Sequence, residues 1–261
     1  MRLFDFDRAI VREPAQSVVN GLRSDRDAWP DYDGIVREHA AYVAALRGEG
    51  LAVDVLPPLE AHPDSMFVED PALVFPEAAI LLRPGALSRV GEADEMRAAL
   101  QRHFQTVLEL EGNQFVDGGD ILVIPGAVVI GLSARTSAAG AEALSTKLAS
   151  LGRVARIVPV PEGLLHLKSG AALLDEETLL ATARMEGSGL FADVRTILVP
   201  EDENAAANAL RINETIFLGD SYPRTADLLA REGFHVVPLP VWEIAKLDAG
   251  LSCMSLRWRA G

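Results

Sequence analysis

One short unit recurs along this chain, and a repeat of supersecondary structure restricts the fold more than any single motif does. ALVF at 72–75 is followed by a turn at Pro76 and Glu77 and by AAILL ending at Leu82, which reads as a hairpin. DEMRAALQRHF at 94–104 then places apolar residues at helical spacing, and VLEL at 107–110 closes the unit. The same order of strand, strand, helix, strand returns in ILVI, a Pro125–Gly126 turn, AVVIGL, TSAAGAEALSTKLASLG and ARIVPV. It returns again in AALL, the turn at 175–177, TLLATA, a helical stretch placed near 191–194, and TILVP. A further copy runs through NALRI, an Asn213–Glu214 turn, TIFLG, PRTADLLAREG and HVVPLP.

The remaining pieces are divided between the two ends. MSLRW at 254–258 is a lone strand, while AIV, GIVREHAAYVAALRGEG and LAVDVLP supply strand, helix and strand. Joined, they make a fifth copy, with first strands near residues 72, 121, 171, 208 and 254. A chain split in this way is expected to close into a ring, because pairing its last strand with its first removes an open edge. The expectation is one α/β domain over residues 1–261, a five-bladed α/β propeller of ββαβ units. An open doubly wound sheet is disfavoured because it alternates single strands with helices, whereas hairpins precede the helices here.

Composition limits the partners. The 24 basic and 38 acidic residues give a formal charge of −14, which repels nucleic-acid phosphates and anionic lipid and suits a small cationic ligand. Neither nucleic acid nor membrane is expected as a partner. The single cysteine allows no internal disulfide, no Cys/His cluster has structural-zinc spacing, and no apolar run reaches the length of a signal peptide or a membrane span. A reducing, cytoplasmic setting is expected, and a homodimer is a fair prior at this size.

Reactive groups gather just before the first strand of several units: Asp64, Glu69 and Asp70 before Ala72, Asp117 and Asp120 before Ile121, His166 before Ala171, and Cys253 before Met254. These positions are equivalent in a ring and converge on one face. Taken singly, a free cysteine beside apolar residues is usually core filling, and His166 in GLLHLKS could be a satisfied histidine. Together they fit covalent catalysis, in which an imidazole activates a thiol and a carboxylate, here Asp117, orients the imidazole. The Gly118–Gly119 pair after it also reads as a tight turn. Asp64 and Asp70 are costly to bury without a cation, and a guanidinium is the natural one. Arg89 and Arg135, which leave their hairpins toward the helices, suit a substrate carboxylate.

The ordered segments PDSMFVED, LRPGALSR, DGGDIL, GLSART, GLLHLKSG and LDAGLSCMS resemble the dimethylarginine dimethylaminohydrolases of the pentein, or guanidine-modifying, superfamily, from about residue 9 to the last strand. The resemblance implies the five-bladed propeller, with Cys253 as nucleophile, His166 as general acid and base, and Asp117 as supporting carboxylate. It further implies that Asp64 and Asp70 hold the guanidinium, that Glu69 contacts the substrate beside them, and that Arg89 and Arg135 bind its carboxylate. Leu22 matches a loop covering the pocket, and Leu247 a position whose backbone meets the substrate amine. No metal or organic cofactor is implied. The chain departs from the pattern at Leu164–Leu165 and in carrying Asp117 where some bacterial relatives have Glu. Two alternatives remain at this point: a compact arginine deiminase, which shares the chemistry but usually carries an added helical domain, and a non-catalytic ring, which has no use for the Cys253/His166/Asp117 set.

Overall fold

The computed structural model describes residues 3–260. Its strands form five three-stranded sheets, each built alike. In the second unit β3 (Ala72–Phe75) runs antiparallel to β4 (Ala78–Leu81), which runs parallel to β5 (Val107–Glu109). The pattern repeats in β6 (Ile121–Ile124), β7 (Ala127–Leu132) and β8 (Ala155–Pro159), and in β9 (Ala171–Leu173), β10 (Thr178–Ala181) and β11 (Arg195–Leu198). It repeats once more in β12 (Leu210–Ile212), β13 (Thr215–Gly219) and β14 (His235–Leu239). The fifth sheet joins β15 (Leu256–Trp258) to β1 (Arg8–Arg12) and β2 (Ala52–Leu56), with Ile10 opposite Leu256. This is the closure expected of the divided repeat.

Each helix seals a joint between neighbouring sheets. In α3 (Ala138–Ser150), Ala141, Leu144 and Leu148 are buried at helical spacing, and they pack on Ile121, Val128 and Ile130 of their own sheet and on Ile80 and Leu82 of the preceding one. Burying one such leucine contributes about 1.5–3 kcal/mol. The same bridging is made by Met96 and Leu100 of α2 (Glu92–His103), against β4 and β15. The helix starts are encoded locally: Asp31 caps α1 (Tyr32–Gly48) by accepting from Gly34 N–H at 2.8 Å, and Ser137 caps α3 by accepting from Gly140 N–H at 3.0 Å. The turn joining β12 to β13 places Asn213 at φ 52°, a left-handed conformation that asparagine tolerates better than most residues.

One element lies elsewhere than the sequence suggests. The helix of the fourth unit is α4 (Ala183–Gly187), directly after β10, and residues 191–194 form a turn. Thr182 starts it by accepting from Met185 N–H, and Gly187, Ser188 and Gly189 end it after five residues, too few to show a period. Two further helices complete the set, α5 (Pro223–Arg231) and α6 (Trp242–Ala245). Among the described residues, no helix is long and apolar enough to cross a membrane.

His39 of α1 is buried with Nε2 unpartnered, and burial lowers its pKa from 6.5 to about 4. The unfolded chain therefore takes up a proton below pH 6.5 that the native state refuses, so stability falls with pH through the window from 6.5 to 4. The expected loss is about 3 kcal/mol across that window. Thermal melts from pH 7 to 4.5 should show a shallower acid loss in His39→Gln than in the native chain, and parallel curves would contradict this.

Candidate active site

The first strands pack together at the centre, β15 against β3 and β9 against both β6 and β12. Three of them are entered through a short 3₁₀ turn: Gly118–Asp120, Leu167–Ser169 and Leu251–Met254. Asp117 and His166 immediately precede two of these turns and Cys253 lies within the third.

The DGGD turn is shaped by close approach. A β-carbon on Gly118 would stand 1.9 Å from the Glu69 carbonyl oxygen, and one on Gly119 would stand 2.6 Å from His166 Nδ1. Glycine at both positions lets these segments touch. Across the contact, His166 Nε2 and Asp117 Oδ2 are 2.9 Å apart, and Asp117 is completely buried. Asp117 Oδ1 accepts from Gly85 N–H at 2.7 Å, and Arg135 Nη1 lies 3.6 Å from Oδ2. Nε2 is thus held by Asp117, while Nδ1 lies against Gly119.

Asp120 supports this pair from behind. Its Oδ2 accepts from the hydroxyls of Ser133 and Thr136 at 2.6 and 2.7 Å, and its Oδ1 accepts from Leu167 N–H at 3.0 Å, fixing the backbone next to His166. Thr136 Oγ1 in turn accepts from Asp117 N–H. Burial alone would lower the His166 pKa, but the hydrogen bond to Asp117 and the fields of Asp70, Asp120 and Asp117 outweigh it and the pKa is raised.

Asp70 is buried and ion-paired with Arg89, and its Oδ1 accepts from Gly119 N–H at 2.9 Å. Burial works against its charge, yet Arg89, His166 and the Gly119 N–H prevail and hold its pKa below the usual value. Asp64 goes the other way: burial raises its pKa despite Arg89 and the N–H of Leu22, which donates to Oδ1 at 2.9 Å. Arg89 is the hub of this region. Its Nε and Nη2 donate to Glu92, Nη2 reaches the Phe67 carbonyl at 3.0 Å, and Nη1 binds Asp70. Of the five guanidinium N–H donors, one on Nη1 remains free of these partners. Asp64, Asp70 and Glu92 thus share a single buried arginine; burial raises the pKa of Asp64 and lifts that of Glu92 to about 7, and Asp70 is the carboxylate whose charge Arg89 holds.

Cys253 is half-buried, its N–H bonded to the Gly250 carbonyl and its own carbonyl accepting from Glu69 N–H at 3.1 Å. Burial first, then Glu69 and Asp70, push the thiol up to about 11. The Glu69 carboxylate takes the Ser252 hydroxyl at 3.0 Å, Lys168 at 2.5 Å and Arg257 at 3.3 Å. Leu22 is partly exposed, and Leu247 is buried with its side chain against Gly21. Oxygen and nitrogen atoms of Asp70, Asp117 and His166 lie within 4.8 Å of one another. They are the one cluster of metal-ligand type among the described residues, and their lone pairs already accept from Arg89, Gly85 and Gly119.

The arginine deiminase family model matches residues 55–217. The N(G),N(G)-dimethylarginine dimethylaminohydrolase of Pseudomonas aeruginosa is 40% identical over 254 residues, covering 97% of this chain and 100% of the relative. The chain belongs to the dimethylarginine dimethylaminohydrolases. The relative of the same name from Streptomyces coelicolor is 34% identical over 97% of each chain. A solved structure of the Pseudomonas aeruginosa enzyme, a cysteine-to-serine variant complexed with citrulline, superposes with a TM-score of 0.94 over 97% of this chain and 100% of that one. The fold is therefore that of the dimethylarginine dimethylaminohydrolases, in agreement with the five repeated sheets.

In this member of the family the structure joins Asp117 to His166, Asp70 to Arg89, Asp64 to Leu22, and Glu69 to the Cys253 turn. Sequence reasoning missed Glu92, Lys168, Ser252 and Arg257, and it named Asp120 without giving it a task. Glu92 follows Arg89 at i+3, a spacing that could have revealed it. Ser252 and Arg257 meet Glu69 across 183 and 188 positions, and Lys168 meets it from a different unit, so these contacts leave no local signal.

Proposed function

We propose that Cys253, His166 and Asp117 are the catalytic set with which this hydrolase converts N-omega-methylated L-arginine to L-citrulline and methylamine or dimethylamine. The observation that carries the reading is the His166–Asp117 pair at 2.9 Å beside an acid-rich guanidinium subsite in a chain with one thiol. The substrate guanidinium lies against Asp64 and Asp70, which hold it in its protonated, electrophilic form. The Cys253 thiolate attacks the guanidinium carbon, and His166 gives its proton to the departing amine as the C–N bond breaks, leaving a thiouronium on sulfur. Neutral His166 then takes a proton from water. The hydroxide attacks the same carbon, the C–S bond breaks as the added hydroxyl loses its proton to solvent, and neutral citrulline leaves with the thiolate restored.

Arg135, partly exposed, and the remaining Nη1 donor of Arg89 receive the α-carboxylate, while the Leu247 backbone meets the α-amine and the loop carrying Leu22 covers the pocket. A reducing, cytoplasmic setting belongs to the same reading, because the thiol acts only while reduced.

Citrulline formation from asymmetric dimethylarginine, monomethylarginine and arginine, assayed in parallel, tests the assignment. The methylated substrates should dominate kcat/KM. If arginine is the better substrate, the enzyme is a compact deiminase, and if none reacts, the reading falls.

A further inference from the structure

Four of the five segments that lead into first strands carry groups of the proposed site: Asp70 before β3, Asp117 before β6, His166 before β9 and Cys253 before β15. The fifth, leading into β12, has no part in the proposed chemistry. It carries Asn208 two positions ahead of Leu210, and in the chain it stands between the segments that bear His166 and Cys253.

Asn208 touches both of those segments. Its Nδ2 donates to the Lys168 carbonyl at 3.3 Å, in the turn Leu167–Ser169 that follows His166. Its Oδ1 accepts from Ser252 N–H at 3.2 Å, in the turn Leu251–Met254 that holds Cys253. A carboxamide suits this position because it presents a donor and an acceptor on one planar group, where a carboxylate has no donor and an alkyl chain has neither. The approach is close: a β-carbon on Gly250 would stand 2.5 Å from Asn208 Oδ1, so glycine there lets the Cys253 turn come up against the carboxamide. Lys168 and Ser252 meet a second time through their side chains, since Lys168 Nζ and Ser252 Oγ both bind the Glu69 carboxylate. The two turns are thus tied by separate links, one through Glu69 and one through Asn208. The described hydrogen-bond contact of Cys253 Sγ is with Ser252 Oγ rather than with His166, so the spacing of the two reacting side chains is set by the turns that carry them.

We infer that Asn208 is a positioning residue of the reaction, holding the turn that carries the nucleophile in register with the turn that follows the general acid and base. This role rests on the assignment of Cys253 and His166 proposed above. In its described hydrogen bonds Asn208 meets none of the groups proposed to bind the substrate, so its effect falls on the chemical steps rather than on binding. The amine leaves only when His166 protonates it while Cys253 holds the carbon, and a displacement of one turn against the other by about 1 Å weakens that step most.

The test compares Asn208→Ala and Asn208→Leu with the native chain on two substrates. Monomethylarginine loses methylamine, which must be protonated as it leaves, whereas S-methyl-L-thiocitrulline loses methanethiol, which departs as the thiolate and needs no proton. First-turnover release of methylamine should fall about 10- to 100-fold in the variants, with KM and citrulline affinity within about threefold of native. Methanethiol release should fall by less than about threefold. Gly250→Ala, whose new methyl pushes the carboxamide aside while Asn208 stays in the chain, should show the same split between the substrates. A merely structural role would slow both substrates alike or weaken citrulline binding. Equal losses on the two substrates, a loss carried by KM, or native rates in all three variants would overturn the inference and leave the catalytic assignment standing. A native chain that releases neither amine nor thiol would remove that assignment, and the positioning role with it.

Discussion

Cys253→Ser is expected to lose at least about 10⁴-fold in turnover while keeping the native melting temperature within a few degrees. The loss is chemical. A serine hydroxyl in this turn would face Glu69 and Asp70, the same carboxylates that with burial push the native thiol up to about 11, and it starts from a far higher pKa. The fold has little to lose, because the described hydrogen-bond contact of the sulfur is a 4.0 Å approach to Ser252 Oγ, and the turn is held by backbone bonds to Gly250 and Glu69. Citrulline assays beside thermal melts check both halves, and retention of a tenth of native turnover would end the covalent mechanism. The raised thiol pKa adds a sharper expectation. With the thiol pKa pushed up, the neutral thiol predominates at pH 7 in the empty pocket. A neutral alkylating agent should therefore react slowly and accelerate steadily with pH, whereas a chloroacetamidine, whose cation is expected beside Asp70 and offsets its field on the thiol, should already react well near neutrality. Equal rates at pH 7 would remove the carboxylates from the subsite.

Asp70→Asn carries the second large effect, on stability and catalysis together. Asparagine can still accept from Gly119 N–H, but it cannot neutralise Arg89, which is left buried with Glu92 as its acidic side-chain partner. Breaking a buried pair costs about 3–5 kcal/mol, and the remaining Glu92 contact places the expectation at the lower end. The native Asp70 pKa is depressed, so its contribution is complete above the unfolded carboxylate value and disappears as pH falls through the lower folded one; melts compared above pH 5 capture it in full. Catalytic efficiency should drop about 10- to 100-fold through loss of a charge-assisted contact to the guanidinium. Because Asp70 also raises the His166 pKa, the alkaline limb of the pH–rate profile should move to lower pH. Denaturant melts and a pH series of kcat/KM measure these separately, and a variant matching the native chain in both would remove Asp70 from the site.

The repeat itself was open to sequence reading because each unit carries its own punctuation. The Pro125–Gly126 and Asn213–Glu214 turns, the apolar runs on either side of them and the amphipathic helices are local features set by neighbours a few positions away. The fourth helix shows where local reading stops. Its five residues are fewer than two turns, and Phe191, which suggested a helix further on, is buried by packing against the third and fourth sheets rather than by helical periodicity. The reactive residues were recognisable because each stands just before a first strand, so ring closure alone brings them to one face.

What the amino-acid sequence by itself determined is therefore the unit, its fivefold recurrence and the positions that would meet. What only the tertiary structure decided is how the charges are distributed once they meet: Arg89 engaged by Glu92 and Asp70, and Glu69 turned to Lys168, Ser252 and Arg257. The physical reason is one of range. Turns and helices are encoded by residues within about one turn of each other, whereas pairing in a dry interior depends on which groups from different blades lose their water together.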